Sequence, residues 1–496
     1  MTTPLDADHR ASDDAIRRAV DADLPRTIAR LADLVRIPSV SWDAFDRAHV
    51  RASAEAVAEL ARATGVFERV EVLDAVDDEG RQGQPAVVAV RSAPAGAPRV
   101  LLYAHHDVQP PGSDADWDTP PYEPTVVGDR LHGRGASDDK AGVMTHVAAV
   151  EAVRAALGDD FPLGIALFVE GEEENGSRSF RPFLEAHGAH LDADVIVVAD
   201  SDNPSVDVPG LTVSLRGNVT CTVTVRTLAH ASHSGMFGGA APDAMLATIR
   251  LLDTLWDEDG AVAVAGLTSR PGGAGGDLED LRRDAGLLDG VRPIGRGELN
   301  DRLWNEPAIT ITGIDAPSLA NASNTLVPVV SVRLSARIAP GQRAEDAAEH
   351  IRRHLEEHAP FGASVEISGV DAGNPFLVDV DAPAVTAMRD AMHEGWGTEA
   401  ALTGIGGSIP FIADLVERFP DAQILVTGVE DPATRAHSPN ESQHLGVLRR
   451  AILTEAVFLA RLAAGGGNVS TSREGYPGDG GAPAEGPHPD TAEEQA

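Results

Sequence analysis

RVLLYAHHDVQP, residues 99–110, joins an unbroken apolar run to a cluster of ionisable side chains, His105, His106 and Asp107. A strand with one wet face alternates apolar and polar residues. RVLLYA does not alternate, which is the pattern of a strand covered on both faces. The same transition recurs along the chain: Glu173 and Glu174 follow LGIALFV in VEGEEENGS, Asp200 follows ADVIVVA in IVVADSDN, and His437 stands in TRAHSPN, just after QILVTG. Asp138 lies in GRGASDDKAG, where the helical stretch KAGVMTHVAAVEAVRAAL begins. Apolar strands separated by helices, with FERVEVL and PAVVAV preceding them, predict an α/β fold built on a mostly parallel sheet. Ligands of such sheets collect at the carboxyl ends of the strands, where these acids and histidines fall.

Outward from that core, 15–35 has apolar residues at helical spacing interrupted by Pro25, and reads as two helical pieces. The middle of the chain has a different rhythm. VTCTVTV, the helical run PDAMLATIRLLDTLW, AITITGI, VVSVRLSARI, the helical run AEDAAEHIRRHLEEHA and ASVEISGV follow in that order, which is β-α-β-β-α-β and ferredoxin-like. We therefore expect an inserted α+β domain at 214–372, splitting the first domain into 1–213 and 373–466. A stretch rich in Gly, Asp and Arg, from Asp257 to Asn305, forms an excursion on the insert. Residues 467–496 carry almost nothing able to build a core and are expected to be disordered.

A formal net charge of −37 excludes nucleic acid and anionic membranes as partners, because both bind through Lys and Arg. Lys140 is the only lysine. No apolar run reaches the length of a membrane span, and the charged first thirty residues lack the core of a secretory signal, so a cytoplasmic location is expected. The single cysteine, Cys221, reads as a small buried hydrophobe in an alternating strand.

Two divalent cations about 3.5–4 Å apart need a bridging carboxylate and further ligands on each ion. His105, Asp138, Glu174, Asp200 and His437 meet that demand. Imidazole with carboxylate suits Zn²⁺ first, while Mn²⁺ or Co²⁺ are also admitted. Each string alone is weak; their joint occurrence is not. YAHHDVQP, GRGASDDKAG, EGEEENGS, ADSDN, ASHSGMFGG, NTLVP, GGSIP and AHSPNES resemble, in order and rough spacing, the M20 family of dinuclear metallopeptidases, in particular its carnosine-type dipeptidase branch. The resemblance spans Thr27 to about Ala463.

The resemblance implies a phosphorylase/hydrolase-like catalytic domain with the insert as lid and dimerisation domain. It implies that Asp138 bridges two metal ions, that His105 and Asp200 complete one ion's ligands, and that Glu174 and His437 complete the other's. Glu173 would be the general base, and Asp107 the carboxylate that orients His105. Of the adjacent residues, His106 yields to His105, which stands two residues before the Asp; Asp139 reads as a supporting or helix-capping group, Glu172 as an exposed carboxylate, and Asp202 as secondary to Asp200. His233 would reach the other subunit's site across a homodimer and stabilise the developing oxyanion, with Thr325 also supplied in trans. Arg337, with Arg333 as rival on the same strand face, would bind the terminal carboxylate of a small peptide, joined by Gly406, Gly407 and Ser408. Similar enzymes often carry an acid just before GGSIP, where this chain has Ile405, so an N-acyl-amino-acid amidohydrolase stands as the alternative to a dipeptidase.

Overall fold

In a computed structural model, which describes residues 4–273, 275–407 and 410–465, the run at 99–105 is a central strand of a nine-stranded sheet. The order is Arg69–Leu73, Ala86–Arg91, Gly164–Glu170, Arg99–His105, Val195–Ala199, Gln423–Thr427, Gly210–Leu215 and Phe376–Leu377, and Ala401–Ile405 also pairs with Gly210–Leu215. The four strands from Gly164–Glu170 to Gln423–Thr427 are mutually parallel. The strands outside them are antiparallel, except that Ala401–Ile405 runs parallel to Gly210–Leu215. The sheet is thus parallel where the site lies and antiparallel towards its edges.

Alternation within the apolar run feeds two cores. Val100, Leu102 and Ala104 pack with the helices Pro4–Val35, Lys140–Leu157 and Leu445–Gly465 on one face. Leu101 and Tyr103 pack on the other with Phe180 and Phe183 of helix Phe180–His187 and with Phe411 and Leu415 of helix Pro410–Arg418. Tyr103 stacks on Phe411 with ring centroids 4.1 Å apart. With both faces covered, polar positions are left only at strand ends, which is why RVLLYA has none. After Arg99–His105 the chain returns on one side as Gly164–Glu170, then crosses to the other side as Val195–Ala199. That reversal opens a crevice at the carboxyl end of the central strand.

The N-terminal segment corrects one expectation. Pro25 does not divide it: a single helix runs Pro4–Val35. Buried Ile16 and Val20 before the proline, and Leu31, Leu34 and Val35 after it, belong to the same core, so packing holds one axis across the missing N–H.

A second, antiparallel sheet has the order Ala308–Asp315, Val329–Ile338, Gly217–Arg226, Ser364–Gly373. With helices Ala244–Asp253 and Ala344–Glu357 this is the ferredoxin-like connection. Val219, Cys221, Val223 and Val225 point into a core shared with Leu251, Leu334 and Ile351, while the intervening threonines lie on the other face. Residues 467–496 and Ser408 lie outside the described residues.

One buried polar contact ties the large sheet to its helices. His146 Nε2 lies 2.8 Å from the Tyr103 carbonyl oxygen, and Nδ1 lies 2.9 Å from each carboxylate oxygen of Glu455 on the last helix. Each ring nitrogen thus faces an oxygen acceptor, an arrangement in which both donate; burial opposes the ring's charge, but Glu455 outweighs it and raises the His146 pKa. Glu455→Ala, which leaves that cation buried and unpaired, should cost about 3–5 kcal/mol in urea unfolding; a loss below about 1 kcal/mol would show the pair is not a stabilising tie.

Candidate functional site

Three neighbouring parallel strands deliver side chains to one crevice. His105 ends Arg99–His105, Glu173 and Glu174 open the short turn after Gly164–Glu170, and Asp200 follows Val195–Ala199. Asp138 stands two residues before helix Lys140–Leu157, and His437 lies in the loop after Gln423–Thr427. His105 Nε2 is 3.2 Å from Asp138 Oδ1 and 3.9 Å from Asp200 Oδ1. His437 Nε2 is 2.9 Å from Asp138 Oδ2 and 3.2 Å from Glu174 Oε2. The two oxygens of Asp138 therefore face different imidazoles. Each imidazole has a further carboxylate of its own, Asp200 for His105 and Glu174 for His437.

The supporting contacts are directional. Asp107, fully buried, places Oδ1 3.3 Å from His105 Nδ1, and its two oxygens accept the backbone N–H groups of Glu173 and Glu174 at 3.1 Å each. One carboxylate thus orients an imidazole and fixes the turn carrying the acidic pair. Asp139 makes no capping hydrogen bond through its side chain; its Oδ2 accepts the His105 backbone N–H at 3.1 Å. Gln109 donates to Glu174 Oε2 at 2.7 Å, and the Trp42 indole donates to the Glu174 carbonyl at 3.2 Å.

Two acids depart from the sequence reading. Glu172 is buried, not exposed: its carboxylate accepts the Gln84 and Ser179 backbone N–H groups and the Ser179 hydroxyl, pinning the start of the acidic turn. Glu441 was passed over, although it stands in AHSPNES. It is fully buried, accepts Ser137 and Asp138 N–H on one oxygen at 3.0 and 3.1 Å, and accepts Gly135 N–H and the Arg134 guanidinium on the other at 2.9 and 2.6 Å. The loop bearing His437 and the loop bearing Asp138 are joined through it. In the former, Arg435, His437 and Asn440 all have positive φ, a conformation that non-glycine residues hold only when their surroundings enforce it. Asn440 is held by Asp118 N–H and the Asp116 carbonyl.

Crowding sets the electrostatics. Burial, and then the charge of Asp138, push Glu174 up to about 7; burial pushes Asp200 up to about 6 despite nearby His105. Glu173 is raised well above its ordinary range, chiefly by burial. Asp138 moves the other way: burial opposes its charge, but the hydrogen bonds from His105 and His437 hold it low. His437 is pushed up to about 11 by Asp138 and Glu174. His106 is pushed down to about 4 by burial, its Nε2 2.9 Å from the Pro85 carbonyl oxygen, outside the cluster. A cluster in which imidazolium ions and protons screen crowded carboxylates is chemically suited to hold cations. His105 with Asp138 and Glu174, and His105 with Asp139 and Asp200, each bring donor atoms within 4.8 Å of one another.

The remaining sequence candidates lie elsewhere. His233 and Thr325 pair directly in a two-stranded ladder beside the second sheet, and His233 Nδ1 accepts Gly235 N–H at 3.0 Å, which leaves the ring proton on Nε2. Among the described residues, no hydrogen bond or ion pair joins this pair to the cluster. Arg333 and Arg337 share a face of Val329–Ile338, but Arg333 donates to the hydroxyls of Thr220 and Thr222. Arg337 lies opposite Asn218 and close enough to Arg216 to perturb it. Arg216, missed in the sequence, donates through Nε to the Gly406 carbonyl at 2.8 Å, next to Gly407.

The model of peptidase family M20/M25/M40 matches residues 101–461, a span that includes every residue of this cluster. The chain belongs to this family. It is 35% identical over 379 residues to the cysteinylglycine-S-conjugate dipeptidase of Corynebacterium striatum, covering 75% of this chain and 83% of that one. It is 27% identical over 396 residues to the Beta-Ala-His dipeptidase of Rattus norvegicus, covering 75% and 80%. The fold is also that of the dipeptidase Dug1p from Saccharomyces cerevisiae, with a TM-score of 0.73 over 92% of this chain and 99% of that one at 22% identity. Among the described residues, no helix is long and apolar enough to cross a membrane.

A ligand imidazole must be neutral and a ligand carboxylate ionised, so cations displace protons here. With His437 near 11 and Glu174 near 7 in the cation-free cluster, both hold protons at pH 6, and affinity should rise as pH increases from 6 to 8. Calorimetric titration of chelator-stripped protein with Zn²⁺ in two buffers of different ionisation enthalpy should show net proton release at pH 6.5. Zero release, or affinity falling with pH, would contradict this electrostatic picture.

Proposed function

We propose that this chain is a cytoplasmic, homodimeric dipeptidase that holds two Zn²⁺ ions and hydrolyses the single internal amide of a dipeptide with a free C-terminus. The observation that carries the reading is Asp138, whose two oxygens face His105 and His437 at 3.2 and 2.9 Å. In this reading Asp138 would be the ligand shared by the two ions, His105 and Asp200 would help hold one, and Glu174 and His437 would help hold the other; Mn²⁺ or Co²⁺ would be accepted by the same donors. When bound, the ions polarise the scissile carbonyl and acidify the attacking water.

The chain's own residues handle the proton and the orientation. Glu173, whose Oε2 lies 4.0 Å from His105 Nε2, takes the water's proton and passes it to the leaving amine. The raised pKa of a buried carboxyl suits a group that must both accept and return a proton. Asp107 keeps His105 and the Glu173 turn in place. Arg337 and the Gly406–Ser408 stretch hold the substrate's terminal carboxylate.

In this reading the insert 214–372 acts as lid and dimerisation domain. It exposes large apolar side chains, Leu319 at 98%, Met236 at 74% and Ile249 at 57%, with Phe237 and Leu246 also exposed, which contact with a second copy would cover. Across that interface each subunit would lend His233, a neutral Nε2–H donor, and Thr325 to the other's cleft. The names of the curated relatives point to Cys-Gly conjugates and β-Ala-His as their substrates, which makes small dipeptides the first class to test. One observation favours a second reading, an N-acyl-amino-acid amidohydrolase: Ile405 packs against the aromatic core of the large sheet, so this position offers no anion to an α-amino group.

Glu173→Ala should lower turnover by about 10²–10⁴-fold with two metal ions per chain retained; turnover lost together with metal would reassign Glu173 as a ligand, and turnover kept would refute its role as base. A panel of dipeptides against N-acetyl amino acids should be cleaved on the dipeptide side, and the reverse preference selects the second reading. Mixing inactive His233→Ala and Glu173→Ala proteins and letting subunits exchange should recover roughly a quarter of wild-type turnover, since half the dimers then carry one intact site. No recovery would count against a site shared between subunits.

A further inference from the structure

The excursion from Asp257 to Asn305 does not stay on the sheet from which it leaves. It ends in the short helix Leu299–Trp304, which packs on Ala401–Ile405, a strand of the other sheet. The approach is close enough to exclude a side chain. A methyl built on Gly404 would lie 2.7 Å from Trp304 Cβ and 2.8 Å from Cγ; one on Gly406 would lie 2.7 Å from the Leu303 carbonyl oxygen and 2.8 Å from an Arg216 terminal nitrogen. Within the excursion, Asp301 accepts Gly272 and Gly273 N–H and the Asn305 side-chain amide, so the helix is tied back to the excursion's earlier part.

Arg216 stands where the chain passes from the large sheet, ending at Leu215, to the small one, starting at Gly217. Buried at this junction, its guanidinium donates to three carbonyls: Gly406 at 2.8 Å, Arg302 at 3.4 Å and Glu306 at 3.3 Å. Among the described residues no carboxylate pairs with it. Burial, and then the neighbouring Arg337, lower its pKa to about 10, so it remains a cation at neutral pH beside a second one. Arg216 is thus satisfied by neutral carbonyls at the Gly406–Gly407 turn while standing near enough to Arg337 to feel its charge.

We propose that the Asp257–Asn305 excursion is a strap which, through Trp304 and Arg216, holds the Gly406–Gly407 turn in register with Arg337, making preference for a free terminal carboxylate depend on residues that do not touch the substrate. The proposal rests on the reading that Arg337 and this turn hold the carboxylate. Arg216 and Trp304 are positioning residues: one fixes the turn by its carbonyl, the other by packing against the strand that leads into it.

The test compares the free acid and the C-terminal amide of the best-cleaved dipeptide, Ala-Gly being the first probe, in the metal-loaded full-length protein. Trp304→Ala and Arg216→Gln should each raise KM for the acid about tenfold, keep kcat within about twofold, and reduce the acid-over-amide preference about tenfold, with metal content unchanged. Trp304→Phe, which keeps a packed ring, should stay near wild type, and hydrogen exchange at 401–407 should speed up only in the impaired variants. Unchanged acid-over-amide preference in Trp304→Ala, or a loss confined to kcat or to metal content, overturns the proposal; Trp304→Ala keeps it testable if Arg216→Gln fails to fold. Arg337→Ala is the control. If it too leaves the preference unchanged, the carboxylate reading falls and the strap loses its role with it; if Arg337→Ala abolishes the preference while Trp304→Ala does not, the strap alone is wrong.

Discussion

A single carboxylate between two imidazoles organises this molecule. Asp138 can face His105 with one oxygen and His437 with the other only if three loops far apart in sequence meet to within hydrogen-bonding distance. The loop of Asp138 and the loop of His437 are bound to each other through the buried carboxylate of Glu441, which accepts four N–H donors. The loop of His105 is bound to the acidic turn through Asp107, whose oxygens accept the two N–H groups of Glu173 and Glu174. Buried acids that do not themselves face the two imidazoles together thus set the geometry of those that do. Their own satisfaction by backbone donors is what makes their burial tolerable.

Gathering so many acids in one crevice costs stability, and the molecule answers with basic side chains placed behind it. Lys140, the chain's only lysine, is buried beneath the Asp138 loop and donates to the Leu34 and Ile37 carbonyls at 2.9 and 2.7 Å. Burial pushes its pKa down to about 7, with Glu441 and Asp107 working against that fall. Arg134 pairs with Glu441 and lies over the Trp117 ring. In the crevice itself Glu173, Glu174 and Asp200 are all shifted towards their neutral forms. A site that prefers protons in the absence of cations is one where the fold spends stability on function, held together by apolar cores on either side of the sheet.

Much of this was legible in the sequence because it rests on local pattern. Runs buried on both faces are continuous, their ends are where polar residues must start, and the helix at 140–157 has the bounds its apolar spacing implies. The second sheet was legible in the order of its elements for the same reason. What escaped depends on tertiary contact. Gly210–Leu215 and Ala401–Ile405 are short, mixed runs made into strands by their partners. Pro25 was read by its local effect, which packing on both sides overrides. Glu172 and Glu441 look like solvated acids until the N–H groups that face them are in place, and Arg216 looks like an ordinary surface cation until three carbonyls converge on it.

The two halves of the proposed cleft are held by different kinds of force, and that bears on how such a protein can change. The half around Asp138 is set by strand ends packed between two large apolar cores, where a shift of one side chain disturbs many others. The half around Gly406 and Arg337 is set by a loop, a short helix and carbonyl hydrogen bonds at a junction between two sheets. Loops on a rigid scaffold accept substitution with less disturbance than cores do. Differences in the amide a protein of this kind accepts should therefore accumulate around Ile405, Arg216 and the excursion, while the carboxylates and imidazoles facing Asp138 stay fixed by the packing beneath them.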